Sequence, residues 1–183
     1  MQPRIVVVTG APATGKTTIA RALARRLGYA LVSKDDVKES LADALGAGDR
    51  ERSRQLGAAA YTVMERLASR MLDEDVSVIL EANFWRERSE PWLRALAQGR
   101  DAPVIVCTVA PDMRRERFRS RGAAGERHAV HLDGEILAHE WTNDVSAFRV
   151  DLGTRTLDVD TTHGPTPSLD EIARWIEPLA RRL

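Results

Sequence analysis

The sequence predicts an α/β protein, a three-layer sandwich in which a five-stranded parallel sheet carries helices on both faces. Three observations lead there. Residues 5–8 are a short β-branched run without polar alternation, as in a strand buried on both sides, and 76–81 and 103–109 read as further strands. Stretches with helical apolar spacing separate them, the alternation of a parallel sheet. The first strand runs into a helix through the glycine-rich segment 10–17. With 183 residues, the simplest organisation is one domain spanning 1–183.

Residues 10–17 read Gly-Ala-Pro-Ala-Thr-Gly-Lys-Thr, fitting the phosphate-loop pattern G-x-x-x-x-G-K-[ST] at every fixed position. Chance produces such a match in roughly one chain of this length in a few hundred. Glycines let successive N–H groups converge, and the following helix adds its positive end. Gly10, Ala13, Thr14, Gly15, Lys16, Thr17 and Thr18 are therefore the expected nucleotide contacts. Lys16 reaches the β- and γ-phosphates, and the Thr17 hydroxyl ligates Mg²⁺. Ile19, Leu23 and Leu27 give the helix its apolar face, and Gly28 closes it. The reading is ATP binding with Mg²⁺.

A second short strand at 29–33 delivers Lys34, Asp35, Asp36 and Lys38 to its C-terminal end, where open parallel sheets bind ligands. Two readings stand for the acids. One caps the next helix (Val37, Leu41, Ala44, Leu45); or Asp35 is the general base that deprotonates an acceptor hydroxyl. Residues 33–36 superficially match the guanine-reading N/T-K-x-D motif, but that motif follows a much later strand. Gly46 and Gly48 then break the chain. A long helix follows, with Leu56, Ala60, Val63, Met64, Leu67 and Met71 on its core face and an arginine-rich start that is either decoration or a lid.

The third strand, 76–81, ends in Glu81, a position from which a carboxylate holds Mg²⁺ through water. Asn83, Trp85 and Arg86 come next. They either form a specificity pocket for the acceptor or, with Phe84, plug the sheet edge. Ser89-Glu90-Pro91 is a helix start. After the fourth strand, a helix opening at 110–112 carries Arg114, Arg115, Arg117, Arg119 and Arg121, more cations than Glu116 can partner. Residues 122–133 read as a mobile loop containing Arg127, His128 and His131. The two histidines with Asp133 hint at a metal, but no further ligand pair supports zinc. Leu137, Trp141, Val145 and Phe148 mark another amphipathic helix. The fifth strand is 156–160, and Ser168 with Glu171 forms a capping box for the last helix (Leu169, Ile172, Ile176, Leu179).

Lys plus Arg equals Asp plus Glu at 27 each, so no global charge recruits nucleic acid. Arginine outnumbers lysine 24 to 3, and the lysines (Lys16, Lys34, Lys38) all fall at the two candidate sites. No apolar run approaches a membrane span, and the N-terminus enters a strand at once, so neither membrane nor signal peptide is expected. Cys107, the single cysteine, sits in an apolar run and suits a reducing cytoplasm.

The motifs at 10–18, 33–38 and 117–122, with the strand ending Glu81-Ala82-Asn83, resemble the small P-loop kinases. The likeness is nearest to the group of polynucleotide kinases, zeta-type toxins and chloramphenicol phosphotransferase-like enzymes within the AAA-type ATP-binding proteins. The resemblance implies a P-loop NTPase-type fold with a lid at about 122–133, and a kinase with an alcohol group as acceptor. It makes Asp35 the base and Lys38 an acceptor contact. It lays Arg117 and Arg121 over the adenine and phosphates. This chain departs in having Glu81 where aspartate is usual. It also carries Lys34 and Lys38 where polynucleotide kinases tend to have arginine, which argues against nucleic acid as acceptor.

The expected activity is transfer of the γ-phosphoryl group of ATP to a hydroxyl of a small molecule: a nucleoside, sugar, amino sugar or antibiotic. Lys16, Mg²⁺ on Thr17, and Arg121 or Arg127 stabilise the transferred charge, while lid closure excludes water. The rival readings are a polynucleotide end kinase or zeta-toxin-like kinase, and a non-catalytic ATP-binding switch.

Overall fold

The computed structural model describes residues 4–123, 128–132, 141 and 144–177. Five strands form one parallel sheet: β1 (Ile5–Thr9), β2 (Ala30–Ser33), β3 (Val78–Glu81), β4 (Val104–Thr108) and β5 (Thr156–Asp160), in the order β2-β3-β1-β4-β5. The helices are α1 (Lys16–Leu27), α2 (Lys34–Leu45), α3 (Arg50–Asp73), α4 (Arg86–Ala97), α5 (Pro111–Ala123) and α6 (Leu169–Ile176).

The period of two along β1 builds the layers. Ile5 and Val7 point into a core with Met64 of α3 and Leu93 of α4, while Val6 and Val8 point into another with Leu23 of α1 and Ile176 of α6. Every residue of β1 is buried, so both faces are covered, as its unbroken apolar run predicts. The chain leaves β1 for β2 and β3 on one side and continues to β4 and β5 on the other. The carboxyl end of β1 is therefore the switch point where such sheets bind ligands.

Several boundaries differ from expectation for local reasons. The third strand starts at Val78, because the Val76 N–H donates to Met71 O and keeps that residue in the turn closing α3. The fourth starts at Val104: Pro103 has no N–H to give the ladder, although its carbonyl accepts from Val7. α4 begins at Arg86 rather than at Ser89. The Trp85 carbonyl accepts from the N–H groups of Arg88 and Ser89, so Pro91 falls inside the helix. The helix expected to end at Phe148 does not reach it through residues 144–148. Asp144 accepts from the Ser146 N–H at 2.9 Å, and Ser146–Phe148 is a single 3-10 turn. Leu137 and Leu179 lie outside the described residues.

Gly28 closes α1 with φ +69°, and the Ser168–Glu171 capping box is present at α6. Among the described residues, no helix is long and apolar enough to cross a membrane.

Candidate active site

The loop between β1 and α1 owes its shape to its small residues. A Cβ at Gly10 would lie 2.5 Å from the Cys107 carbonyl oxygen and 2.7 Å from Thr14 Oγ1, and its φ is +148°. Ala13 and Gly15 also have positive φ, at +66° and +79°. Thr14 Oγ1 donates to Ala11 O at 2.9 Å and holds the turn shut. No side chain caps the start of α1, which leaves its first N–H groups to the loop's concavity.

Lys16 is buried, and its Nζ donates to Ala11 O at 3.4 Å. Burial pushes its pKa down, and the nearby carboxylates of Glu81 and Asp35 push back. Glu81, at the end of β3, accepts from Thr17 Oγ1 at 3.2 Å and from Ser33 Oγ at 2.8 Å. Burial raises the Glu81 pKa against the pull of Lys16 and these two hydroxyls. A buried carboxylate sharing a hydroxyl with the loop threonine is an all-oxygen donor pair, which suits a hard cation such as Mg²⁺. The crowded backbone at Gly10, the open helix end and Lys16 likewise suit a polyphosphate.

Ser33 is the N-cap residue of α2, but its hydroxyl goes to Glu81 instead of capping. Neither Asp35 nor Asp36 is the cap; both sit in the first turn. Asp36 pairs with Arg21 at 3.3 Å on the surface. Asp35 lies 3.1 Å from Lys34 Nζ and lines a cavity of about 620 Å³ shared with Thr17, Thr18 and Arg121.

Arg117 and Arg121 line a cavity of about 440 Å³ over Lys16 and Thr17. Arg117 is fixed there by donating to the carbonyls of Thr161 (2.8 Å) and Thr162 (3.1 Å) just past β5. Arg121 lies 4.6 Å from the Phe118 ring centre. The arginine run of α5 thus has more partners than Glu116 alone: Arg114 stacks on Trp141 at 4.3 Å and Arg119 pairs with Glu116. Arg127 lies outside the described residues.

Next to Asp35 opens a larger cleft, about 790 Å³, lined in part by Lys34, Lys38, Tyr61, Asn83 and Trp85. The Asn83 carbonyl accepts from the Tyr61 hydroxyl at 3.0 Å, and Trp85 packs on Phe148 with ring centres 4.7 Å apart. Arg86 falls elsewhere: it pairs with Glu90 at 3.3 Å and lines a separate recess with Ser146 and Ala147.

Lys38 is buried; its Nζ donates to Ser53 Oγ (2.7 Å) and to Val130 O (3.1 Å). The described part of the expected lid, 128–132, is consequently docked against α2 and α3. Val130 packs against Ala42 and Leu56, and His128 and His131 face Asp43 (3.0 Å) and Glu39 (2.7 Å). Residues 124–127 and 133 lie outside the description.

Sequence reasoning missed Tyr61, Arg88 and Thr161. Tyr61 was hidden in the apolar stripe of α3. Thr161 had a usable signal, since it directly follows a strand's C-terminal end. Its hydroxyl donates to Thr14 O at 2.9 Å and so supports the loop.

A parallel sheet with a phosphate loop at its switch point, a lysine and a buried acid facing the loop, and a second cleft alongside define a kinase-like P-loop protein. The chain belongs to the AAA domain family, which it matches over residues 5–139. Over 99% of its length it superposes on the whole of a Chloroflexus aurantiacus protein of known structure, described as "a putative kinase", with TM-score 0.84 and 33% identity. A Pyrococcus abyssi protein named "Putative adenylate kinase" is 27% identical over 97% of this chain and 87% of its own. A Janibacter sugar kinase, 17% identical with TM-score 0.58 over 98% of this chain and 96% of that one, shares the fold.

Proposed function

We propose that this chain transfers the γ-phosphoryl group of ATP to a hydroxyl of a small molecule such as a nucleoside, sugar, amino sugar or antibiotic. The observation that carries the reading is the position of Asp35. It lines the cavity beside Thr17, and its partner Lys34 lines the adjoining larger cleft. A base between phosphate loop and second cleft is what hydroxyl phosphorylation requires.

Asp35 takes the hydroxyl proton as the acceptor oxygen bonds to the γ-phosphorus and the bond to the β,γ-bridging oxygen breaks, releasing ADP. Lys16 and Arg121 hold the negative charge that spreads over the transferred group. Thr17 and Glu81 are the residues that would hold Mg²⁺, Glu81 through water; when bound, the ion neutralises phosphate oxygens. Trp85 and Asn83 line the acceptor side. The resemblance to the polynucleotide kinase, zeta toxin and chloramphenicol phosphotransferase-like group supports a hydroxyl acceptor. The single cysteine, Cys107, is a buried free thiol, which fits a reducing compartment such as the cytoplasm.

The name of the Pyrococcus relative favours a second reading, a nucleoside monophosphate as acceptor. Incubation with ATP, Mg²⁺ and panels of hydroxyl compounds and nucleoside monophosphates, read by mass spectrometry, tests both. A product heavier by one phosphoryl group on a hydroxyl supports the first. Conversion of a monophosphate to a diphosphate replaces it with the second.

A further inference from the structure

We propose that Gly57 and Ser89 form a subsite in the larger cleft for an uncharged, hydroxyl-bearing ring of the acceptor, a sugar or the ribose of a nucleoside. This rests on the phosphotransferase reading above and narrows its substrate class.

Gly57 lies inside α3, where glycine destabilises a helix more than any residue but proline. Such a glycine is normally required by a left-handed backbone or by a neighbour too close for a Cβ. Neither holds here. Its φ is not in the left-handed range, and among the described residues a Cβ would meet only Lys38 Cε, at an ordinary 3.9 Å. Alanine would fit and strengthen the helix. What glycine supplies instead is bare backbone on the wall of the cleft, where a ligand can approach closely.

Ser89 is a second, independent sign. It is 3% exposed and lines the same cleft from the opening turns of α4. A serine within a helix commonly returns its hydroxyl to the carbonyl four residues back. Ser40 and Ser120 do so, each at 2.9 Å. The corresponding carbonyl for Ser89, that of Trp85, accepts instead from the N–H groups of Arg88 and Ser89. The Ser89 hydroxyl makes no hydrogen bond to any described residue. Leaving a buried hydroxyl unmatched is unfavourable, and a ligand hydroxyl in the cleft satisfies it.

Phe84 brings the two positions to one place. Tyr61, one turn past Gly57, packs on the Phe84 ring with centres 6.1 Å apart, and Trp92, three residues past Ser89, with centres 5.8 Å apart. α3 and α4 each lead into a parallel strand, so both run antiparallel to the sheet. Gly57 and Ser89 therefore lie about one turn nearer than these rings to the carboxyl edge of the sheet, the edge that carries Asp35.

The chemistry around them is neutral. The Asn83 carboxamide also lines the cleft and has no partner among the described residues. A hydroxyl and a carboxamide each donate and accept, which matches the hydroxyls of a polyol. Tyr61 and Trp92 give apolar ring faces to its C–H surface.

The test uses the full chain saturated with ADP and Mg²⁺ and titrated with glucose, ribose and adenosine, read by tryptophan fluorescence and calorimetry. Saturable binding of at least one of the three is expected. It should weaken about tenfold in Gly57→Ala and about three- to tenfold in Ser89→Ala, with ADP affinity unchanged in both. Urea unfolding adds a readout that a packing role would move the other way: Gly57→Ala should raise the midpoint. A lowered midpoint in Gly57→Ala, unchanged binding in either variant, or no saturable binding of any of the three compounds overturns the inference. Turnover with ATP is then compared between these compounds and the charged gluconate and glucosamine. Transfer confined to the charged pair also overturns the inference, and leaves the phosphotransferase reading standing. Binding that depends on Gly57 and Ser89 in a chain that transfers nothing to any acceptor keeps the subsite and removes the phosphotransferase reading.

Discussion

Thr17 Oγ1 donates a 3.2 Å hydrogen bond to Glu81 Oε1, tying the first turn of α1 to the end of β3 across 64 residues of sequence. With Ser33 donating to the other oxygen, the carboxylate is aimed at the loop with both its oxygens fixed. Glu81→Gln preserves size and polarity but removes the charge that a divalent cation needs. It should weaken Mg²⁺ affinity about 10- to 100-fold, the range seen when a carboxylate supporting a metal site is lost, and lower turnover accordingly. Titrating Mg²⁺ against ATP-dependent turnover checks this; an unchanged half-saturating Mg²⁺ concentration removes Glu81 from the cation site.

Asp35 is the base in the proposed transfer. Its side chain is 28% exposed and shares its charge with Lys34. Asp35→Asn should therefore leave stability within about 1 kcal/mol of wild type. If a hydroxyl is the acceptor, turnover should drop by about 10² to 10⁴, with nucleotide affinity unchanged. A phosphate acceptor is already ionised and needs no base, so turnover that survives the substitution points to a monophosphate acceptor.

The fold was largely legible because a parallel sheet buried on both faces leaves a one-dimensional mark. The run at 5–8 has no polar residue to turn outward and that at 103–109 has only Thr108, and Gly28 and the Ser168–Glu171 pair mark helix ends through local chemistry. The loop was legible because its residues are consecutive. The larger cleft was not, because its walls come from three helices far apart in the chain. Tyr61 at helical spacing reads as core until α3 is laid beside Asn83. Arg86 and Arg88 are two residues apart and both line the side recess, and only the start of α4 decides that Arg86 meets Glu90 while Arg88 also reaches the cleft. Ser33 reads as a cap until β3 brings Glu81 within 2.8 Å of it.

Gly10 tests the backbone side of the loop. An added methyl group would sit within 2.5 Å of a backbone oxygen of β4, which cannot swing away as a side chain would. Gly10→Ala should cost about 1–3 kcal/mol of stability from overpacking, with positive-φ strain adding to it, and weaken nucleotide binding in step. Urea unfolding and calorimetry with ATP read the two effects. Wild-type stability together with wild-type affinity would contradict the tight approach to Cys107.

Arg117 tests the opposite wall. Its guanidinium reaches two carbonyls and Thr161 Oγ1 at once, and Thr161 in turn supports Thr14 of the loop. A single ammonium lacks that planar fork, so Arg117→Lys should behave more like Arg117→Ala than like wild type. Both should lose about 1.5–3 kcal/mol of stability, the worth of hydrogen bonds made by a charged group. Recovery of full stability in Arg117→Lys would mean that charge alone, without the fork, holds the 161–162 segment.

Lys16 gives the pH dependence. In the free chain, burial holds its ammonium below the ordinary value of 10.5, with Arg121 adding repulsion and the carboxylates of Glu81 and Asp35 opposing both. The unfolded chain therefore binds more protons than the folded one between the lowered pKa and 10.5, and across that window stability rises with pH as this group titrates. A bound triphosphate brings negative charge to the ammonium and raises its pKa. Nucleotide binding in that window should thus take up protons, and affinity should fall as pH rises. The gap in melting temperature between nucleotide-bound and free chain should then narrow as pH rises through that window toward the ordinary lysine value of 10.5. Calorimetry in buffers of different ionisation enthalpy counts the protons. Uptake that is absent in the wild type, or that persists in Lys16→Met, would assign the titration to another group.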